Sequence, residues 1–178
     1  SFGEEFNFKS TEINVLEKGN LIIADKGVKI ETKDNLIIEG EKSEYNKKKQ
    51  TLKILGNVKL YDKINNIIIN SDKINYLKDK ELIFSEGKTV AEIENSYFVD
   101  SIDLKFNRNS MEIYSKKKTS VKDTKGYYFS LDDFNFDIKK KFLKGKNVYL
   151  KDISNNEYNL KTISLNLNNY NFEGNDLH

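Results

Sequence analysis

Residues 43–87 read SEYNKKKQTLKILGNVKLYDKINNIIINSDKINYLKDKELIFSEG. Within this stretch Leu52, Ile54, Val58 and Leu60 alternate with Lys53, Asn57 and Lys59. Alternation with period two puts one set on the buried face of a strand and the other in water. Between the apolar runs lie clusters such as Asn46–Gln50 and Lys78–Glu81, rich in the Lys, Asn and Asp of tight turns. The same alternation recurs in Ile102, Leu104 and Phe106, in Phe134, Phe136 and Ile138, and in Ile163, Leu165 and Leu167. No helical periodicity is sustained, and β-branched and aromatic residues are plentiful, so the class is all-β.

The stretch belongs to a repeat that runs along the chain. Gly27, Gly56, Gly87, Gly145 and Gly174 precede similar strands and are separated by 29, 31, twice 29 and 29 residues. The unit without its glycine falls at Met111–Asp123, where Lys117 or Lys118 occupies the bend. A second series, Tyr45, Tyr76, Leu104, Phe136 and Leu165, keeps step with the glycines from the opening strand of each unit. Each unit thus reads as strand, tight turn, strand, glycine corner and strand. Repeats of about 30 residues bury their faces against one another in a stack with two terminal edges, and open edges template pairing with other chains.

Composition narrows the function. The 178 residues carry no proline and no linker, which predicts one domain over 1–178. Charged residues make up 33% of the chain, but 30 basic and 28 acidic side chains nearly cancel, and Arg108 is the only arginine. Nucleic-acid binding needs a one-signed patch and arginine forks, so no nucleic-acid partner is expected. Without cysteine there is neither a disulfide framework nor a thiolate metal site. The one histidine, His178, is the last residue and cannot build a triad or a metal cluster. Carboxylate pairs occur at Glu4/Glu5, Glu92/Glu94 and Asp132/Asp133, but Glu92 and Glu94 alternate with Ala91 and Ile93 as an ordinary solvated face does, and the expectation is a protein that is not an enzyme, with no cofactor and no metal. What remains is the apolar face, with aromatic residues at 12% of the chain.

The succession x-Y-N-x-K, turn, apolar strand into G-N-V-x-L, then S-D-K-I-N-Y resembles the periplasmic organic-solvent-tolerance family of lipopolysaccharide transport proteins. Weaker copies such as FLKGKNVYLKD and YNFEGND extend the likeness over almost the whole chain. The resemblance implies an elongated, twisted β-jellyroll of antiparallel strands whose two walls leave an apolar groove for the acyl chains of lipopolysaccharide. It further implies a place in the periplasm, edge-strand addition to other bridge jellyrolls, and either a free-standing bridge, an inner-membrane-anchored member or the N-terminal domain of an outer-membrane translocon. In the last case the chain is a segment of a longer precursor, attached to the outer membrane through a C-terminal β-barrel and joined by an outer-membrane lipoprotein partner. The missing cysteines depart from translocons that tie this domain to the barrel by disulfides.

Carried onto this chain, the lipid-binding positions are Leu52, Ile54, Val58, Leu60, Ile74, Tyr76, Leu82 and Phe84, with Ile102, Leu104, Phe106, Phe134 and Phe136. Each would contribute apolar contact at roughly 25 cal/mol per Å². Lys59 and Lys73 are rim candidates for lipid phosphates. Two other readings stay open: a closed-core β-solenoid interaction or adhesin module that binds no lipid, and a carbohydrate-processing solenoid with two carboxylates in one cleft.

Overall fold

The computed structural model describes residues 6–177; the expectations for His178 and for Glu4/Glu5 lie outside the described residues. The fold is all-β and antiparallel. Its strands are β1 (Phe6–Leu16), β2 (Leu21–Thr32), β3 (Leu36–Gly40), β4 (Lys42–Asn46), β5 (Thr51–Asp62), β6 (Ile67–Leu77), β7 (Leu82–Ser85) and β8 (Lys88–Ile93). They continue as β9 (Tyr97–Ile102), β10 (Lys105–Asn107), β11 (Glu112–Ser115), β12 (Thr119–Asp123), β13 (Tyr128–Asp137), β14 (Phe142–Lys151), β15 (Glu157–Asn166) and β16 (Asn171–Leu177).

Pairing closes a ring of eight strands in the order β6, β7, β10, β11, β13, β12, β9, β8 and back to β6. The other strands continue the sheet to edge strands β1 and β16, which each pair with one neighbour among the described residues. The ring is made of bent strands. β7 runs into β8, β9 into β10 and β11 into β12 across residues 86–87, 103–104 and 116–118, and each successive pair shares the same long partner or its continuation. Likewise β5 pairs with β4 through Thr51–Leu55 and with β3 through Lys59–Asp62, with a bulge between. Each long strand therefore gives one half to a first wall, with β3, β8, β9 and β12, and one half to a second, with β4, β7, β10 and β11.

The corner explains the glycine series. Gly56 sits in the β5 bulge at φ +81°, a left-handed backbone that a side chain rarely adopts, and a Cβ there would press on Glu41. Gly145 needs its glycine for a different reason, since a Cβ would stand 2.2 Å from Leu131 Cδ1. In the unit without glycine the bend falls at 116–118, where the sequence places Lys117 and Lys118.

Bending interrupts the ladder, and small hydroxyl side chains repair it. Ser85 Oγ accepts from Leu104 N at 3.0 Å, Ser115 Oγ donates to Ile102 O at 2.6 Å, and Thr89 Oγ1 donates to Ser85 Oγ at 2.6 Å. Ser101 and Thr119 join across β9 and β12 at 2.7 Å. These residues are buried, so each hydroxyl satisfies a polar group that water cannot reach.

The turns form two rows. On the first wall Lys63 N donates to Asn35 O, Glu94 N to Asn66 O and Thr124 N to Ser96 O; on the second, Lys78 N donates to Gln50 O, Arg108 N to Glu81 O and Ile138 N to Met111 O. Turn residues with positive φ (Asn35, Gln50, Asn66, Glu81, Asn95, Met111, Gly126, Lys141, Asn155 and Tyr170) recur every 14–16 residues, which is the length of one strand and one turn.

Candidate functional site

Leu52, Ile54, Leu60, Ile74, Tyr76 and Phe106 are fully buried, and Val58, Leu104, Phe134 and Phe136 nearly so. All ten point between the walls into one core cluster. The repeat anchors Tyr45, Tyr76, Leu104, Phe136 and Leu165 are buried there as well.

Three of the sequence-based positions face the other way. Directly opposed residues in an antiparallel pair share a face, and Tyr76 opposes Ile83, so Ile83 is the inward residue of β7. Leu82 and Phe84, opposite Leu77 and Asn75, lie on the outer face and are half-buried. Ile102 opposes the exposed Lys88 and is 39% exposed, whereas Ser101, opposite Thr89, is buried. The alternation of Ile102, Leu104 and Phe106 is broken at Asp103, whose φ of 52° turns the chain through the corner.

The expected open groove is filled in this structure by the side chains of the two walls. Phe6 on the first wall packs edge-on against Tyr45 at 4.9 Å and Tyr76 at 5.9 Å on the second. Further along, Tyr97 meets Phe136 at 5.2 Å. Around that contact Ile93, Tyr97, Val99, Val121, Phe134, Phe136, Leu143 and Leu167 enclose an apolar gap too thin to hold water.

Among the described residues the two turn rows are joined by side chains, at three levels. At the first, Arg108 on the second wall binds Asp34 at 2.8 Å and Asp62 at 3.4 Å on the first, and also Glu81 and the Tyr76 hydroxyl, each at 3.0 Å. The guanidinium side chain is 8% exposed and Asp62 fully buried. At the second, Lys141 Nζ donates to Glu94 Oε1 at 2.6 Å and also to Ile138 O. At the third, the Tyr170 hydroxyl donates to Asp123, its ring stacks on Tyr127 at 4.2 Å, and Lys125 lies over it at 4.6 Å. The bonds Arg108–Asp62, Lys141–Glu94 and Tyr170–Asp123 span 46, 47 and 47 residues. The sequence repeat thus reappears as a repeated latch. In the sequence Arg108 argues only against nucleic acid, because its place in a turn carries no local signal of partners so far away.

Burial and partners set the charge states of the first latch. Burial acts to raise Asp34, but the Thr32 hydroxyl and the Arg108 guanidinium hold it below the usual carboxylate value. Burial likewise opposes ionisation of Glu81, and Lys78 and Tyr76 overcome it, so Glu81 too is lowered. Burial and the Glu81 carboxylate push the Tyr76 phenol up, which keeps it a donor. Tyr97, behind the second and third latches, is raised by burial and then by Asp123 and Glu94.

The remaining candidates are tied locally. Asp132 accepts from Asn147 at 3.0 Å, Asp133 pairs with Lys146 at 3.5 Å, and Glu94 belongs to the second latch. Lys73 pairs with Glu86, and Lys59 is exposed on the outer side of β5. Among the described residues no group of three His, Cys, Asp or Glu side chains is placed to hold a metal. Comparison with protein-family models finds no match, and comparison with curated proteins finds no similar sequence.

Proposed function

We propose that this chain is a β-jellyroll carrier that takes the acyl chains of lipopolysaccharide between its two walls and hands them along a periplasmic bridge, without covalent chemistry. The observation that carries the reading is the division of bonding between the walls. Backbone ladders hold the corner, while the opposite edge is held by side chains alone among the described residues, around one continuous apolar interior. Hydrocarbon needs an apolar lining and no hydrogen bonds, which is what the cluster of inward apolar residues between the walls supplies. Edge strands β1 and β16 suit joining to like domains by strand addition. Attachment to an outer-membrane barrel and its lipoprotein partner follows in the translocon version of this reading.

A second reading, a closed-core interaction module, is favoured by one observation: Ile54, Tyr76 and Phe106 are already wholly buried against protein. One experiment separates the two. A photo-crosslinking residue is placed at inward Ile54 or Leu104 and at outward Lys53 or Lys105, and adducts with lipopolysaccharide are scored. Adducts from the inward pair alone support the carrier. Equal adducts from both pairs, or none, support the closed module.

A further inference from the structure

We infer that the Glu94–Lys141 latch is the gate of the interior, the point on the turn edge where the walls part to admit an acyl chain; this rests on the carrier reading above. The three levels of the seam are unequal. At the first, one buried guanidinium engages two carboxylates of the opposite wall and a carboxylate and phenol of its own. At the third, a stacked tyrosine pair and an overlying lysine shield the bond to Asp123. The middle level has one ion pair, between a Lys141 side chain that is 16% exposed and a Glu94 side chain that is 38% exposed. It has fewer contacts to break than the other two levels, and its single carboxylate is within reach of water and of screening by salt.

The apolar gap lies directly behind this pair. Ile93 and Tyr97 flank Glu94 in sequence on one wall, and Phe136 and Leu143 flank Lys141 on the other; all four line the gap. A gap in the packing therefore coincides with the level held by a single ion pair, and walls that part there expose apolar surface already continuous with the core. Each residue at the rim keeps its own row's backbone bond when the pair opens, since Glu94 N donates to Asn66 O and Lys141 O accepts from Leu167 N. Opening breaks side-chain contacts and leaves the ladders intact.

The chain has no cysteine, so two can be placed cleanly. In the double variant Glu94→Cys/Lys141→Cys, a two-carbon bis-methanethiosulfonate reagent bridges the seam reversibly. Uptake of BODIPY-labelled lipopolysaccharide is followed by stopped flow. The bridged protein should take up the probe at least about tenfold more slowly than the same protein after reduction, while a bridge within one wall, Glu44→Cys/Lys53→Cys, changes nothing. Glu94→Lys, which sets two cations against each other, should speed uptake, as should raised salt in the parent. Equal rates in bridged and reduced protein overturn the gate and leave the carrier standing. A parent that takes up no probe overturns both.

Discussion

Lys141 and Glu94 are 47 residues apart in sequence and 2.6 Å apart in space, and Tyr170 and Asp123 repeat the same 47-residue offset one repeat further on. A constant offset means that each turn of the second wall meets the first-wall turn of an earlier repeat. The two rows are staggered, and the stagger is conserved along the seam by the equal length of strands and turns. Closure of the edge is thus a property of the repeat as a whole, and single substitutions test its parts.

Arg108 is the strongest of these parts. Replacing it with Met leaves Asp62 fully buried without its cation, and breaking a buried pair in this way costs about 3–5 kcal/mol. Arg108→Lys keeps the charge but loses the fork, and should cost less. Urea denaturation of the three proteins measures both; an Arg108→Met midpoint equal to the parent's would show the latch to be idle.

The same latch gives stability a defined dependence on pH. Asp34 and Glu81 are both held below their ordinary values of 3.8 and 4.5. A depressed carboxylate contributes stability that is full above its unfolded value and is lost as pH falls through its folded value. Stability from this site should therefore hold constant from neutral pH to near 4.5 and fall below it. Melting temperatures of the parent and of Asp34→Asn between neutral pH and about pH 3 should converge at the acid end. Convergence already at about pH 6 would assign the effect to other groups.

Gly145 and Leu131 form a packing pair. Gly145→Ala forces a Cβ onto Leu131 Cδ1, and overpacking of this kind costs about 1–3 kcal/mol. In a Leu131→Ala background the contact with Cδ1 is gone and Asp132 O at 3.0 Å remains, so the second substitution should cost less than it does alone without becoming free. Strictly additive costs in the double variant would place the strain in the backbone.

Two buried hydroxyls should respond in opposite ways. Thr89 Oγ1 engages Ser85 Oγ at 2.6 Å, Ser71 Oγ at 3.2 Å and Gly87 O at 3.0 Å, so Thr89→Val strands a buried polar group and costs about 1–3 kcal/mol. Ser43 Oγ is buried with no hydrogen-bond partner among the described residues. Ser43→Ala should then be neutral or slightly stabilising, read as an unchanged or raised denaturation midpoint.

The all-β class, the repeat of about 30 residues, the inward anchors Tyr45, Tyr76, Leu104, Phe136 and Leu165, and the corner at Gly56 and at Lys117 and Lys118 are all legible in the order of residues. These depend on local rules: the two-residue period of a strand and the backbone freedom that a bend demands. Alternation alone puts Leu82, Phe84 and Ile102 on the wrong face, because the turn at Glu81 and the corner at Asp103 shift its phase and the shift depends on register with the partner strand. That the walls meet, that Arg108 joins them and that Glu94 finds Lys141 emerges from the folded chain alone. The distance between two walls is set by the volumes of side chains that face each other from different repeats, and latches spanning 46 or 47 residues leave no trace in any short window of sequence.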